Sequence, residues 1–360
     1  MRPEDLVGIP YPKKEIENFL YRKSLKHYQF YNVDFNPNAY AFHNFKRLGY
    51  EEAAYDKKIL NKTYYDIEVF IEPGVFPDSE IADRPINAIA VYNNMTNQST
   101  IYYLKQVQVS ENGRLVTYTP KINDQEQLQK MVEDGYKKLC DDDPNYIVPD
   151  LEIKVLGFDS EVDLLRTFFR DRLMEETLFL IGFNSNLFDN PYIFNRFINL
   201  TNKEDTANYV SQFGELSNNG KYFKIPDYLL IDLLEMYKPV DQGGGGFGKS
   251  LPNFKLQTII QKELKMSKLD LPGGFNENYL KNLPNYLLYN MIDVIPIFKL
   301  DTKLQFLELQ WSLNSYNNSI MSATTGGRSL MYTFRNNLHY IMEDKLLRYT
   351  KLNKEIHFEV

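Results

Sequence analysis

From Lys62 onward, apolar and polar positions follow each other regularly enough to read. KTYYDIEVFIE (62–72) has the apolar density of a buried strand. INAIAVYNN (86–94) and STIYYLKQVQV (99–109) predict two more, joined as a hairpin through the turn-rich MTNQ. A turn at Asn112-Gly113 leads into RLVTYTP (114–120). EQLQKMVEDGYKKL (126–139) and EVDLLRTFFRDRLMEE (161–176) carry helical spacing. LFLIGFN (178–184) is a short apolar strand ending in polar residues, and NPYIFNRFINL (190–200) is a helix that follows at once. Asn219-Gly220 predicts a compact hairpin between YVSQFGEL and KYFKI. YLLIDLLEMY (228–237) fits a strand as well as a helix. LPNFKLQTIIQKEL (251–264) and PNYLLYNMIDVIPIFKLDTKLQFLEL (284–309) are helical. Strands first, then helix and strand in alternation, predict an α/β fold with a mixed sheet flanked by helices. Residues 1–58 are polar and aromatic with weak periodicity and predict a small N-terminal region.

Composition narrows the function less than the pattern does. The chain has 360 residues, 43% hydrophobic and 25% charged, which is ordinary for a globular protein with a sizeable core. Aromatics reach 14%, nearly all Tyr and Phe. Such a surplus suits base stacking, but cores and half-buried surfaces account for it first. The net charge of −7 argues against a protein that grips duplex phosphate over many base pairs. That objection weakens if acidic residues hold metal ions, which then supply the positive charge. A single cysteine, Cys140, excludes an internal disulfide and fits a reducing compartment. Four scattered histidines (His27, His43, His339 and His357) form no legible zinc site. With no apolar signal core and no membrane-length run, a soluble cytoplasmic protein is expected, in the host cytoplasm if a virus encodes it.

The candidate chemistry lies in carboxylates. Asp66 and Glu68 are two apart on a predicted strand, so both point from one face, while Ile67 and Val69 imply burial of the other. Asp189 follows the strand 178–184 and opens the next helix, a position where α/β sheets build sites. Asp293 lies late in the helix 284–309, and Tyr289, four residues earlier, shares its face. Taken singly, each has a plainer reading: a solvated strand face, a helix N-cap, a local contact on a helix. The acidic run Asp141-Asp142-Asp143 before Pro144 reads as a solvated turn and is left out of the site. Together the four acids suit phosphodiester hydrolysis. Two Mg²⁺ ions about 4 Å apart serve both attacking and leaving oxygens, and Mg²⁺ takes hard oxygen ligands while keeping several waters. A tyrosine hydroxyl can orient the attacking water or a phosphate oxygen.

These segments resemble, in order and spacing, the three exonuclease motifs of family B DNA polymerases. YYDIEVF (64–70) resembles motif I, with its D-I-E core intact. IGFNSNLFDNPYI (181–193) resembles motif II at Asn184, Phe188 and Asp189, and YNMIDV (289–294) resembles motif III at Tyr289 and Asp293. The flanks FPDSEIADRPINAIAVYNN (76–94), IDLLEMYKPV and LPNFKLQTI are similar to those of T-even-type phage replicative polymerases. The resemblance covers roughly residues 60–300. It implies a ribonuclease-H-like fold and a proofreading 3′→5′ exonuclease that releases nucleoside monophosphates, using two divalent ions, Mg²⁺ or Mn²⁺. By the same resemblance Asp66 bridges both metals, Glu68 and Asp293 hold the metal that activates water, and Asp189 supports the second. Tyr289 positions the nucleophile, and Asn184 and Phe188 are supports. The implied substrate is single-stranded DNA or a frayed primer 3′ end. A free-standing 3′→5′ repair nuclease is the alternative. A non-catalytic binding module is a third reading, and the presence of all four carboxylates speaks against it.

Two further stretches bear on function. GGGGFGKS (243–250) fits the phosphate-loop expression through Lys249 and Ser250, but the preceding KPVDQ is a poor buried strand. Five glycines in six residues more simply make a flexible connection, so no nucleotide site is expected there. Beyond Asp293 no D-x-x-S-L-Y-P-S-like or D-T-D-like palm motif occurs; Asp301-Thr302-Lys303 lacks the second acid. Residues 306–360, including SATTGGRSLMYTFRNNLHY (322–340), resemble the stretch that leads into a polymerase palm. The expected organisation is therefore a reduced N-terminal region (1–58), an exonuclease domain (59–305) and a segment leading toward a palm (306–360). Three arrangements stay open: a split polymerase with its palm and thumb on another chain, a truncated polymerase, and a free exonuclease.

Overall fold

The computed structural model describes residues 60–316, apart from 72–75, 112, 219–221, 244–250 and 270. The expected N-terminal region, the palm-approaching stretch beyond residue 316, Lys249, Ser250 and the four histidines lie outside the described residues. Lys58–Phe306 forms one compact unit, and from Leu307 the chain belongs to a separate one.

A six-stranded mixed sheet organises the first unit. Its strands are β1 (Lys62–Val69), β2 (Ile86–Asn93), β3 (Gln98–Leu104), β6 (Glu152–Phe158), β7 (Phe179–Gly182) and β10 (Leu229–Asp232), in the order β10-β7-β1-β2-β3-β6. β1, β2 and β3 form an antiparallel meander, with Asn97 at φ 53° in the β2–β3 turn. β7 runs parallel to β1, β10 parallel to β7, and β6 parallel to β3. This mixed sheet flanked by helices is the ribonuclease-H-like arrangement that the motifs implied. Two small antiparallel ribbons complete the strands: β4 (Val107–Glu111) with β5 (Arg114–Tyr118), and β8 (Ser217–Asn218) with β9 (Phe223–Lys224).

The two faces of β1 follow from its alternation. Tyr64, Asp66 and Glu68 face one side, where Tyr64 packs its ring against Phe298 at 5.5 Å. Phe298 belongs to α8 (Leu283–Leu304), which opens on Pro284 in its first turn and lies over β1 and β2. Beside α8 on that face runs α1 (Gln125–Asp142), capped by Asp124. Tyr65 faces the other side and meets Phe168 of α2 (Glu161–Met174), whose N-terminus Ser160 caps. There α3 (Asp189–Leu200) and α4 (Lys203–Val210) join α2, with Phe169 stacked on Phe197 at 5.9 Å and 3°. α5 (Leu233–Gly243), α6 (Leu256–Leu264) and α7 (Phe275–Lys281) link β10 to α8, and α9 (Phe306–Tyr316) follows it.

Several expectations are corrected. The single strand 99–109 is two, because the chain leaves the sheet at Lys105 and Gln106 to start the β4–β5 ribbon. The ambiguous 228–237 is strand and then helix, changing at Asp232–Leu233. Helix 284–309 ends at Leu304, where Gln305 turns left-handed (φ 52°) and α9 begins. The helix predicted from Leu251 starts only at Leu256. Asp141 and Asp142 close α1 in exposed positions, and the half-buried Asp143 caps a short 3₁₀ turn (Pro144–Tyr146). Helix, and no strand, precedes the glycine run. β6, α4 and α7 had not been predicted.

Candidate functional site

Asp66 and Glu68 project from the C-terminal half of β1 toward α8, and Asp293 reaches down from that helix to meet them. Carboxylate oxygens of the three residues lie within 4.8 Å of one another. The helix is fixed to the strand on the same face by a buried ion pair: Lys62 Nζ lies 2.8 Å from Asp301 Oδ2, which also accepts from the Tyr64 hydroxyl at 2.7 Å. Two helical turns before Asp301, the same helix face delivers Asp293. One turn earlier still, it delivers Tyr289.

The electrostatics of this cluster are unfavourable for bare carboxylates. Burial, then Asp189, Glu68 and Asp293, push the Asp66 carboxyl well above its ordinary range. Glu68 is pushed up to about 8 by burial and then by Asp293. Asp293 is raised by burial, while Lys268 and Tyr289 hold it down. Crowded, desolvated carboxylates of this kind are relieved by a cation. All the candidate ligands are hard oxygens, so the donor set fits Mg²⁺ or Mn²⁺.

Asp189 arrives from the third segment. After β7, Gly182 lets the chain fold back on itself: a Cβ there would stand 2.5 Å from Ser185 Cβ. Asn184 takes the left-handed conformation (φ 60°), which an Asn tolerates, and its carbonyl accepts from Leu187 N at 3.2 Å. Asp189 is then the first residue of α3, and the N-cap position falls to Phe188, whose side chain makes no cap bond. Asp189 is buried beside β1, where the Ile67 backbone helps hold its carboxyl down, beyond the last β1–β7 pair, Tyr64↔Ile181. Burial lifts it to about 7, and Asp232 adds to the rise. It lies outside the tight triad, yet among charged groups it bears most strongly on Asp66.

Tyr289 is buried, with burial and then Asp293 raising its hydroxyl. Lys268 Nζ stands 5.1 Å from its ring centroid and 2.7 Å from Asp293 Oδ2. Asp293 lifts the Lys268 ammonium above its ordinary range against the cost of burial, so it is charged. Phe275 packs edge-on to Tyr289 at 5.9 Å and is partly exposed. Asn184 enters through its backbone, and Phe188 through its ring, 5.3 Å from Tyr192. Four participants were not found from sequence: Lys268, Asp232, Asn190 and Asn290. Asn290 Nδ2 lies 3.4 Å from Asp66 Oδ2, and Asn190 accepts from the buried Tyr65 hydroxyl at 2.6 Å. Lys268 and Asp232 sit in segments without a motif. Asn190 and Asn290 stand next to motif residues, and that adjacency was the one available signal.

Comparison with known proteins identifies the family. The profile of the exonuclease domain of DNA polymerase family B matches residues 14–239, taking in Asp66, Glu68 and Asp189 and ending before Tyr289 and Asp293. Similar curated proteins include the DNA-directed DNA polymerases of Escherichia phage RB69 and Enterobacteria phage T4. Each is 26% identical over 273 residues, which is 74% of this chain and 28% of the relative. The chain thus spans little more than a quarter of the length of these relatives. Among the described residues, no helix is long and apolar enough to cross a membrane.

Proposed function

The chain belongs to the exonuclease-domain family of family B DNA polymerases, and from that premise we propose that it removes nucleotides from DNA 3′ ends by hydrolysis at the site of Asp66, Glu68, Asp189 and Asp293. The observation that carries the reading is the meeting of Asp66, Glu68 and Asp293 oxygens within 4.8 Å, with Asp189 beside them. Asp66, Glu68 and Asp293 would hold one divalent ion, and Asp66 with Asp189 a second. Such ions, when bound, make a strong nucleophile from water and offset charge on the attacking and leaving oxygens.

The remaining work falls to the chain itself. Tyr289 orients the attacking water or a phosphate oxygen through its hydroxyl, with Lys268 Nζ 5.1 Å from its ring. Lys268 offsets part of the negative charge as phosphate enters. Asn290 fixes one oxygen of Asp66, so the shared carboxylate keeps a single orientation. The substrate class is single-stranded DNA or a frayed primer 3′ end, and a polymerase palm, on this or another chain, is the working partner. Metal-held positive charge reconciles a net charge of −7 with a polyanionic substrate.

A labelled single-stranded oligonucleotide tests the metal requirement. With Mg²⁺ the chain releases nucleoside monophosphates; EDTA stops the release, and added Mg²⁺ or Mn²⁺ restores it. Undiminished release in EDTA contradicts the proposal.

A further inference from the structure

We propose that Asp232 is a positioning residue: it holds the turn that delivers Asp189, and so sets the affinity of the site for its metal. The inference rests on the metal-dependent reading above and names the part of the fold that prepares one ligand.

Asp232 is the last residue of β10, opposite Gly182, the last residue of β7. Both strands end there, and the β7 chain turns back toward Asp189. The Asp232 carboxylate is buried and accepts three backbone N–H groups. Oδ1 takes Asn184 N at 2.9 Å and Leu234 N at 2.9 Å, and Oδ2 takes Asn186 N at 3.1 Å. Two of these donors belong to the turn between β7 and α3, and the third opens α5. One side chain thus ties the strand end, the turn and the following helix into a single unit.

The turn is braced further from within. Asn186 donates to Glu235 at 2.9 Å and accepts from Asn190 at 3.1 Å, and Asn190 N donates to Ser185 O at 2.8 Å. Asn190 also takes the Tyr65 hydroxyl of β1. The residue between these anchors and the triad is Asp189 itself. A buried carboxylate that accepts N–H groups makes stronger bonds than a neutral acceptor, and it cannot be replaced by an amide without conflict. With Asn at 232, an NH₂ group faces at least one of the three N–H donors. The turn must then shift, and Asp189 with it. Groups that orient a metal ligand typically change metal affinity or activity by about 10–100-fold when altered.

The test is Mn²⁺ binding by the full chain, followed by electron paramagnetic resonance of free Mn²⁺, in wild type, Asp232→Asn and Asn186→Ala. Melting temperature is measured alongside. The expected result is a weakening of about 10-fold or more for Asp232→Asn and a smaller change in the same direction for Asn186→Ala, both beyond what any loss of folded protein explains. A purely structural role moves the melting temperature and the folded fraction but leaves the midpoint for Mn²⁺ unchanged; that outcome overturns the proposal. If Asp232→Asn does not fold, Asn186→Ala decides, and an unchanged midpoint overturns it. Because binding is read directly, absence of DNA hydrolysis in wild type contradicts the proposed function and leaves this test standing.

Discussion

Asp66 and Tyr289 make different contributions at the residue scale. Burial, Asp189, Glu68 and Asp293 all raise the Asp66 carboxyl, and Asp66 is the ligand proposed to be shared between two ions. Asp66→Ala is therefore expected to abolish hydrolysis by orders of magnitude, as when metal stabilisation of the transition state is lost. Tyr289→Phe removes the hydroxyl proposed to orient the nucleophile and leaves the ring against Phe275. Its rate is expected to fall by about 10²–10³-fold, the scale of one lost polar donor. Single-turnover rates on a short oligonucleotide check both; equal losses contradict the division of roles. The motif resemblance singled out the carboxylates that the fold gathers, while strand and helix periods by themselves fixed only that Asp66 shares a face with Glu68 and Tyr289 with Asp293. Lys268 was not legible, since it meets Asp293 from a loop 25 positions earlier with no periodic pattern around it. Asp232 lay hidden in a stretch whose apolar run fitted strand and helix equally well. The burial that makes it a carboxylate of consequence comes from β7, about 50 residues away in sequence.

Between elements, the angle and height of α8 over β1 decide whether Asp293 reaches Asp66 and Glu68. Lys62 and Asp301 pin that relation, with side chains only 5% and 1% exposed. Removing one partner of a buried pair leaves an uncompensated charge, and Lys62→Met is expected to cost about 3–5 kcal/mol. The double variant Lys62→Met with Asp301→Leu is expected to recover part of that loss, since neither charge is then buried. Urea unfolding of the single and double variants measures both. A cost below about 1 kcal/mol for Lys62→Met, as for an exposed pair, contradicts this role. Elements with clear periodicity, such as β1, β2, α2 and α3, were read correctly. β6 was missed although Glu152, Ile153, Lys154 and Val155 alternate exposed and buried, because the signal is short and its partner β3 lies far upstream. Its outer edge meets α1, where Gln125 accepts from Gly157 N at 3.1 Å and so covers part of a free strand edge. The break between α8 and α9 was equally invisible: apolar spacing runs through Gln305, and only its left-handed backbone ends the helix.

At the scale of the whole molecule, an acidic chain is proposed to act on a polyanion, and the site carries the resolution. Asp66, Glu68 and Asp293 meet beside one long helix with Asp189 next to them, between a buried ion pair on one side and the Asp232-bound turn on the other. The central claim is directional, metal-dependent removal of nucleotides by this centre. The most direct measurement is parallel digestion of one single-stranded DNA labelled at its 5′ end or at its 3′ end, by wild type and Asp66→Ala, with Mg²⁺ present. Wild type is expected to shorten the 5′-labelled strand as a descending ladder and to release the 3′ label at once as a mononucleotide, with Asp66→Ala inert on both. Early release of the 5′ label, internal cleavage alone, or full activity in Asp66→Ala contradicts it.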